Sequence, residues 1–175
     1  WAESGVKFHS GAKSWKAADP ATVSDQRLVS PAIAVPAGTG NTLQFWSFKD
    51  IENNGTTGCY DGAILETSTD NVTFTQVTTF AADPYRGPVS GSFSNPLAGL
   101  NAWCEATASA AWVKTVASLD ALAGQTVYLR FRLGSDTSVS REGWYVDDVV
   151  VHHSGPGGLF AEGFEPGDFS RRKAT

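Results

Sequence analysis

The sequence predicts an all-β chain folded as an antiparallel β-sandwich. Three observations lead there. Short strand-like runs alternate with clusters of Gly, Pro, Asn and Asp along most of the 175 residues, the pattern of a sandwich or barrel. Helical periodicity is nearly absent. No strand–helix–strand rhythm appears that would build a parallel sheet. An apolar fraction of 41% and a charged fraction of 18% suit one folded domain with a real core.

The elements follow in order. Leu28 to Val35 is interrupted by Pro31, which predicts an edge strand or a bulged one. Thr42 to Phe48 alternates Leu43 and Phe45 with Gln44, Trp46 and Phe48, and Trp46 is expected to pack in the core. Gly62 to Thr67 sets Ala63 and Leu65 against Ile64 and Glu66. The best helical candidate is a single turn within Val116 to Gly124, capped by Ser118 and ended by Gly124. The clearest strand is Thr126 to Leu133, with Val127, Leu129, Phe131 and Leu133 inward and Tyr128, Arg130 and Arg132 outward. Its outer side is expected to meet solvent or a ligand. These runs together predict a sandwich of the jelly-roll kind. Ser154 to Gly158 reads as a Gly/Pro linker that follows a domain of residues 1–153, and residues 159–175 form a tail with little periodicity.

The late strand Gly143 to Val151 has two carboxylates in its middle. Strict alternation puts Tyr145, Asp147, Val149 and Val151 on one face and Trp144, Val146, Asp148 and Val150 on the other. An ionised Asp on an apolar face is costly unless something pairs with it. A hard cation such as Ca²⁺ would do so. The alternative is that Asp147 and Asp148 flank a β-bulge and bond to loop amides or to an Arg.

A net charge of -5 argues against a nucleic-acid partner, which calls for a basic face. No run approaches the ~18 apolar residues of a membrane span. No signal-peptide pattern opens the chain, and the start at Trp1 is expected of a mature product or of a piece of something longer. Cys59 and Cys104 are the only cysteines and belong to no metal-binding cluster. They form either a disulfide or two buried thiols; their Gly- and Trp-bearing surroundings favour the disulfide, in an oxidising compartment.

Catalytic patterns are missing. The chain has neither His-Glu-x-x-His nor Gly-x-Ser-x-Gly. His9 is expected to pack or hydrogen-bond, and His152 and His153 to mark a solvated strand end. Glu52, Asp61, Glu66, Asp147 and Asp148 are the carboxylates that could in principle pair for glycoside hydrolysis. Tyr85, Trp112 and Trp103 are candidates for stacking on a sugar or peptide; Tyr85, in a turn-rich loop, is expected to be the most exposed, and Trp103 to shield a disulfide.

Three segments resemble secreted bacterial jelly-roll modules of MAM-like or galactose-binding-like, carbohydrate-binding-module-like type. They are His9 to Trp15 followed by Ser24 to Pro31, Tyr60 to Asp70, and Trp144 to Val151. The tail from Phe160 to Asp168 is similar to endings found on secreted proteobacterial proteins, except that Arg171, Arg172 and Lys173 stand where an aromatic residue is usual. The resemblance implies a secreted, extracellular, non-catalytic accessory module of a hydrolase, most of all a peptidase, with a partner domain in a longer protein. It leaves a carbohydrate-binding module or a MAM-like adhesion domain, with a glycan or protein surface as partner, as alternatives. It also implies a structural Ca²⁺ held by Glu3, by carbonyls near Gly11 and Lys13, and by Asp147, which the Asp-x-Val spacing favours over Asp148.

Overall fold

The computed structural model describes residues 1–55, 57–105 and 110–155, and the backbone of 160–165 and 168–173. The strands are β1 (Ala2–Ser4), β2 (Ser14–Asp19), β3 (Ser24–Val29), β4 (Ile33–Ala34), β5 (Asn41–Asp50), β6 (Gly62–Ser68), β7 (Thr75–Gln76) and β8 (Phe80–Ala82). They continue with β9 (Gly87–Pro88), β10 (Asn101–Ala102), β11 (Trp112–Ser118), β12 (Thr126–Ser135), β13 (Arg141–His153), β14 (Phe160–Glu165) and β15 (Asp168–Lys173). Every ladder between these strands is antiparallel. One sheet runs β1-β2-β13-β5-β11-β8, with β14 also on β13 and β15 on β14. A second runs β3-β12-β6-β7, with β4 also on β12, and β9 and β10 form a two-stranded pair of their own. The fold is thus an all-β antiparallel sandwich.

The core forms because inward positions alternate with outward ones on the facing strands. On β5, Leu43 and Phe45 are buried while Gln44, Trp46 and Phe48 are only partly covered. On β12, Val127, Leu129, Phe131 and Leu133 are buried. Phe45 meets Phe131 edge to face across the two sheets, ring centres 5.2 Å apart. The outer arginines of β12 meet acids: Arg130 and Arg132 reach Glu66 on β6, and Arg132 also reaches Asp25 on β3 at 2.7 Å. Pro31 interrupts the edge as its missing N–H requires, so β3 and β4 pair separately with β12. Ser30 bridges the gap, its hydroxyl accepting from Leu129 N at 2.9 Å.

Four expectations are corrected. The single helical turn is instead the end of β11 followed by a 3₁₀ turn, Asp120–Leu122; the β-branched alternation begun at Trp112 carries the strand through Ser118. Trp46 lies on the outer face, because β5 keeps strict alternation and Phe45 takes the inward position. His152 and His153 belong to β13 itself, and His153 is buried with Nδ1 2.9 Å from Asn41 Oδ1. The faces of β13 also change parity. A bulge between Asp147 and Val150, with Asp148 at φ 50, inserts an extra residue. Trp144 and Val146 before it and Val149 and Val151 after it therefore all face the core.

The bulge also lets β13 change partners along one edge, from β2 up to Val146 to β14 from Val149 onward. The backbone of 160–165, in the tail, is therefore a strand of the large sheet. Of the expected linker, residues 156–158 lie outside the described residues.

Candidate functional site

Two groups of carboxylates occupy separate places. The first surrounds the bulge. Asp147, 1% exposed, accepts hydrogen bonds at Oδ2 from His9 N at 2.7 Å and Ser10 N at 3.1 Å. Its Oδ1 accepts from Asp148 N at 3.0 Å. Asp148 Oδ2 lies 2.6 Å from His9 Nδ1, and its Oδ1 accepts from the Ser10 hydroxyl. The His9 ring then stacks on Trp46 at 3.8 Å, with Trp112 edge-on at 5.9 Å. Backbone amides thus answer the charge of Asp147, as the bulge alternative expects. Glu3 pairs with Lys13 at 2.7 Å, and Gly11 turns the loop at φ 62. The structure brings Asp147, Asp148 and the His-Ser-Gly loop together, but turns Glu3 to Lys13 and leaves neither Asp147 oxygen without a donor.

The second group gathers where strands of both sheets end. Asp19 is the last residue of β2, Glu52 follows β5, Asp61 precedes β6, and Asp136 follows β12. Asp61 is fully buried, Asp19 and Asp136 are 1% exposed, and Glu52 is 9% exposed. Backbone bonds hold the set in place. Glu52 N donates to Asp19 Oδ2 at 3.3 Å, and Asp136 N donates to Asp61 Oδ1 at 2.6 Å. Tyr60 N and Asp61 N both donate to Glu52 O at 3.1 Å. Asn95 ties the neighbouring loops, its Nδ2 donating to Tyr60 O, Asp61 Oδ1 and Gly134 O. One oxygen each from Glu52, Asp61 and Asp136 lie within 4.8 Å of one another. With the carboxyls ionised, Asp19 Oδ1, Glu52 Oε2 and Asp61 Oδ2 are buried without a hydrogen-bond partner.

Electrostatics follow from that crowding. Burial, then the charges of Asp61 and Asp136, push the Glu52 carboxyl up to about 7, with Arg141 acting the other way. Burial also pushes Asp61 up, and the neighbouring Asp19 adds by charge and by accepting the Asp61 proton. Asp19 itself is raised chiefly by burial. Of the carboxylates considered from sequence, Glu52 and Asp61 meet here, Glu66 is held by arginines, and Asp147 and Asp148 sit at the bulge. Asp19 and Asp136 were not anticipated; an acid at a strand end beside a turn was their only signal.

The stacking candidates are engaged elsewhere. Trp103 is 2% exposed, donates from Nε1 to Asp83 O at 2.8 Å, and packs on Phe45 and Tyr85. Tyr85, expected to be exposed, is half-buried: its hydroxyl accepts from Leu65 N at 3.0 Å and donates to Leu65 O at 3.2 Å. Phe80 and Trp103 flank its ring. Trp112 is half-buried on the outer face against His9 and Phe48. A cleft of about 520 Å³ opens elsewhere, lined among others by Thr67, Thr75, Gln76, Thr79 and Gln125. Cys59 and Cys104 form a disulfide with Cα atoms 5.8 Å apart.

Among the described residues, no helix is long and apolar enough to cross a membrane. No family model matches the chain. A segment of 49 residues, 28% of the chain, is 39% identical to Bacillopeptidase F of Bacillus subtilis (strain 168). That segment spans 3% of the length of Bacillopeptidase F, a protein named as a peptidase. The likeness is therefore local, to a small region of a much larger protein.

Proposed function

We propose that this chain is a non-catalytic accessory module of a longer secreted hydrolase, a peptidase above all, which stabilises, positions or docks its partner domain. In this reading the sandwich is of jelly-roll type, MAM-like or galactose-binding-like. The observation that carries it is the local likeness to a small part of Bacillopeptidase F. The disulfide supports an oxidising compartment. Raised carboxyls can mark a general acid, but Asp61 and Asp19 are no more than 1% exposed and Glu52 only 9%. A substrate has no access to them, which favours support over catalysis. Casein and polysaccharide assays on the purified chain test the reading and are expected to give no turnover. Turnover that disappears in Asp61→Asn while the fold is retained would overturn it.

A carbohydrate-binding module is the second reading, favoured by the hydroxyl- and amide-lined cleft beside β6 and β7. Retention on an insoluble polysaccharide, lost in Gln125→Ala, would move the assignment there.

A further inference from the structure

The acidic pocket at the strand ends holds more negative charge than its surroundings answer. Its members arrive from four strand ends, two in each sheet. Ionised, they leave three carboxylate oxygens buried without a donor, and such a group is costly. Arg141 draws the Glu52 carboxyl down, but burial and the charges of Asp61 and Asp136 still leave it raised. Something else must neutralise the site: protons or a cation.

The geometry selects the cation. Ca²⁺ binds oxygen at about 2.3–2.6 Å, so two ligands on opposite sides of it lie about 4.6–5.2 Å apart. The oxygens of Glu52, Asp61 and Asp136 are all within 4.8 Å of one another, the spacing of ligands gathered around one such ion. Mg²⁺, at about 2.0–2.1 Å with octahedral demands and retained waters, calls for more closely spaced oxygens and a wetter site than this buried one. Zn²⁺ favours His or Cys, and the nearby cysteines are joined in the disulfide.

We propose that Glu52, Asp61 and Asp136 form a calcium site, positioned by Asp19, that fastens the ends of the two sheets to each other. This is a different place from the His-Ser-Gly loop and Asp147, where amides already satisfy the carboxylate. Asp19 acts through its neighbours, with Oδ2 fixing the Glu52 amide and its other oxygen buried without a donor once the carboxyls are ionised. The assignment stands whether or not the chain is an accessory module.

The test is calorimetric titration of EDTA-treated protein with CaCl₂ or MgCl₂ at pH 7, paired with thermal melts. In wild type, calcium at ~100 times its Kd should raise Tm by roughly 5–10 °C, with magnesium far weaker. Asp61→Asn should lose this response. Its amide oxygen still accepts from Asp136 N, while its NH₂ supplies the donor that the pocket lacks, so in EDTA it should melt no lower than wild type. Asp147→Asn should keep the calcium response, whatever its own Tm. Absence of heat and of a Tm shift in wild type would overturn the proposal. So would loss of the response in Asp147→Asn with retention in Asp61→Asn. Should Asp61→Asn fail to fold, Glu52→Gln takes its place and should lose the response; a calcium response retained in Glu52→Gln would refute the site.

Discussion

Asp147→Ala isolates the clamp between the N-terminal loop and the last long strand. The substitution removes the acceptor for His9 N, Ser10 N and Asp148 N at once. Hydrogen bonds to a charged group contribute about 1.5–3 kcal/mol each, which sets a ceiling of about 5–9 kcal/mol. His9 and Ser10 are exposed, so their amides recover water when the carboxylate goes. The Asp148 amide is at the bulge beside a buried side chain and recovers less. The net loss should be about 3 kcal/mol, or about 6–12 °C in Tm for a domain of this size. Urea unfolding monitored by tryptophan fluorescence, run in EDTA and again with calcium, measures it. The loss should be equal in both, since the partners removed are the three amides. A change below about 1 kcal/mol, or one that appears only with calcium present, would refute this account of the bulge.

Three further outcomes are expected. In EDTA, the folded protein holds Glu52 protons up to about 7 against an ordinary 4.5, and Asp19 and Asp61 are shifted the same way. The Glu52 contribution is complete below 4.5 and lost as pH rises through about 7, and those of Asp19 and Asp61 are complete below 3.8 and lost through about 6 and about 8, so urea midpoints should fall between pH 5 and 8; a rise over that interval contradicts the crowded pocket. Reduction of Cys59–Cys104, which are 45 positions apart, should cost about 3–4 kcal/mol by loop closure, and an unchanged midpoint in dithiothreitol would remove the disulfide from the stability of the fold. Tyr85→Phe should lower stability by about 1–2 kcal/mol through its two bonds to Leu65; if it instead weakens polysaccharide retention with stability unchanged, Tyr85 is a ligand residue.

The fold was legible where one face of a strand is apolar and the other polar without interruption. Thr126 to Leu133 is such a run, and its inward set is the buried set. Pro31 likewise announced the break between β3 and β4. Parity failed on β13 because an inserted residue is invisible to a period-two reading; only the pair of acids hinted at it. Trp46 was misplaced because a half-buried aromatic needs a cover, and the ring of His9 that covers it comes from a distant loop. The acidic pocket was half visible. Glu52 and Asp61 stood out as carboxylates, but the contacts joining Asp19 to Glu52 and Asp61 to Asp136 span 33 and 75 positions. Such meetings depend on where sheets end in space, which local pattern does not encode.

The exchange of neighbours along β13 has a practical consequence for anyone trimming this chain. From Val149 to His153 one side of the strand is completed by backbone that comes from residues 160–165. Cutting before that segment would not shed an inert appendage. It would bare a row of unpaired amides and carbonyls on an apolar strand, which invites edge-to-edge association with other copies. A shortened version should therefore precipitate more readily than the full one, even if its hydrophobic centre is untouched.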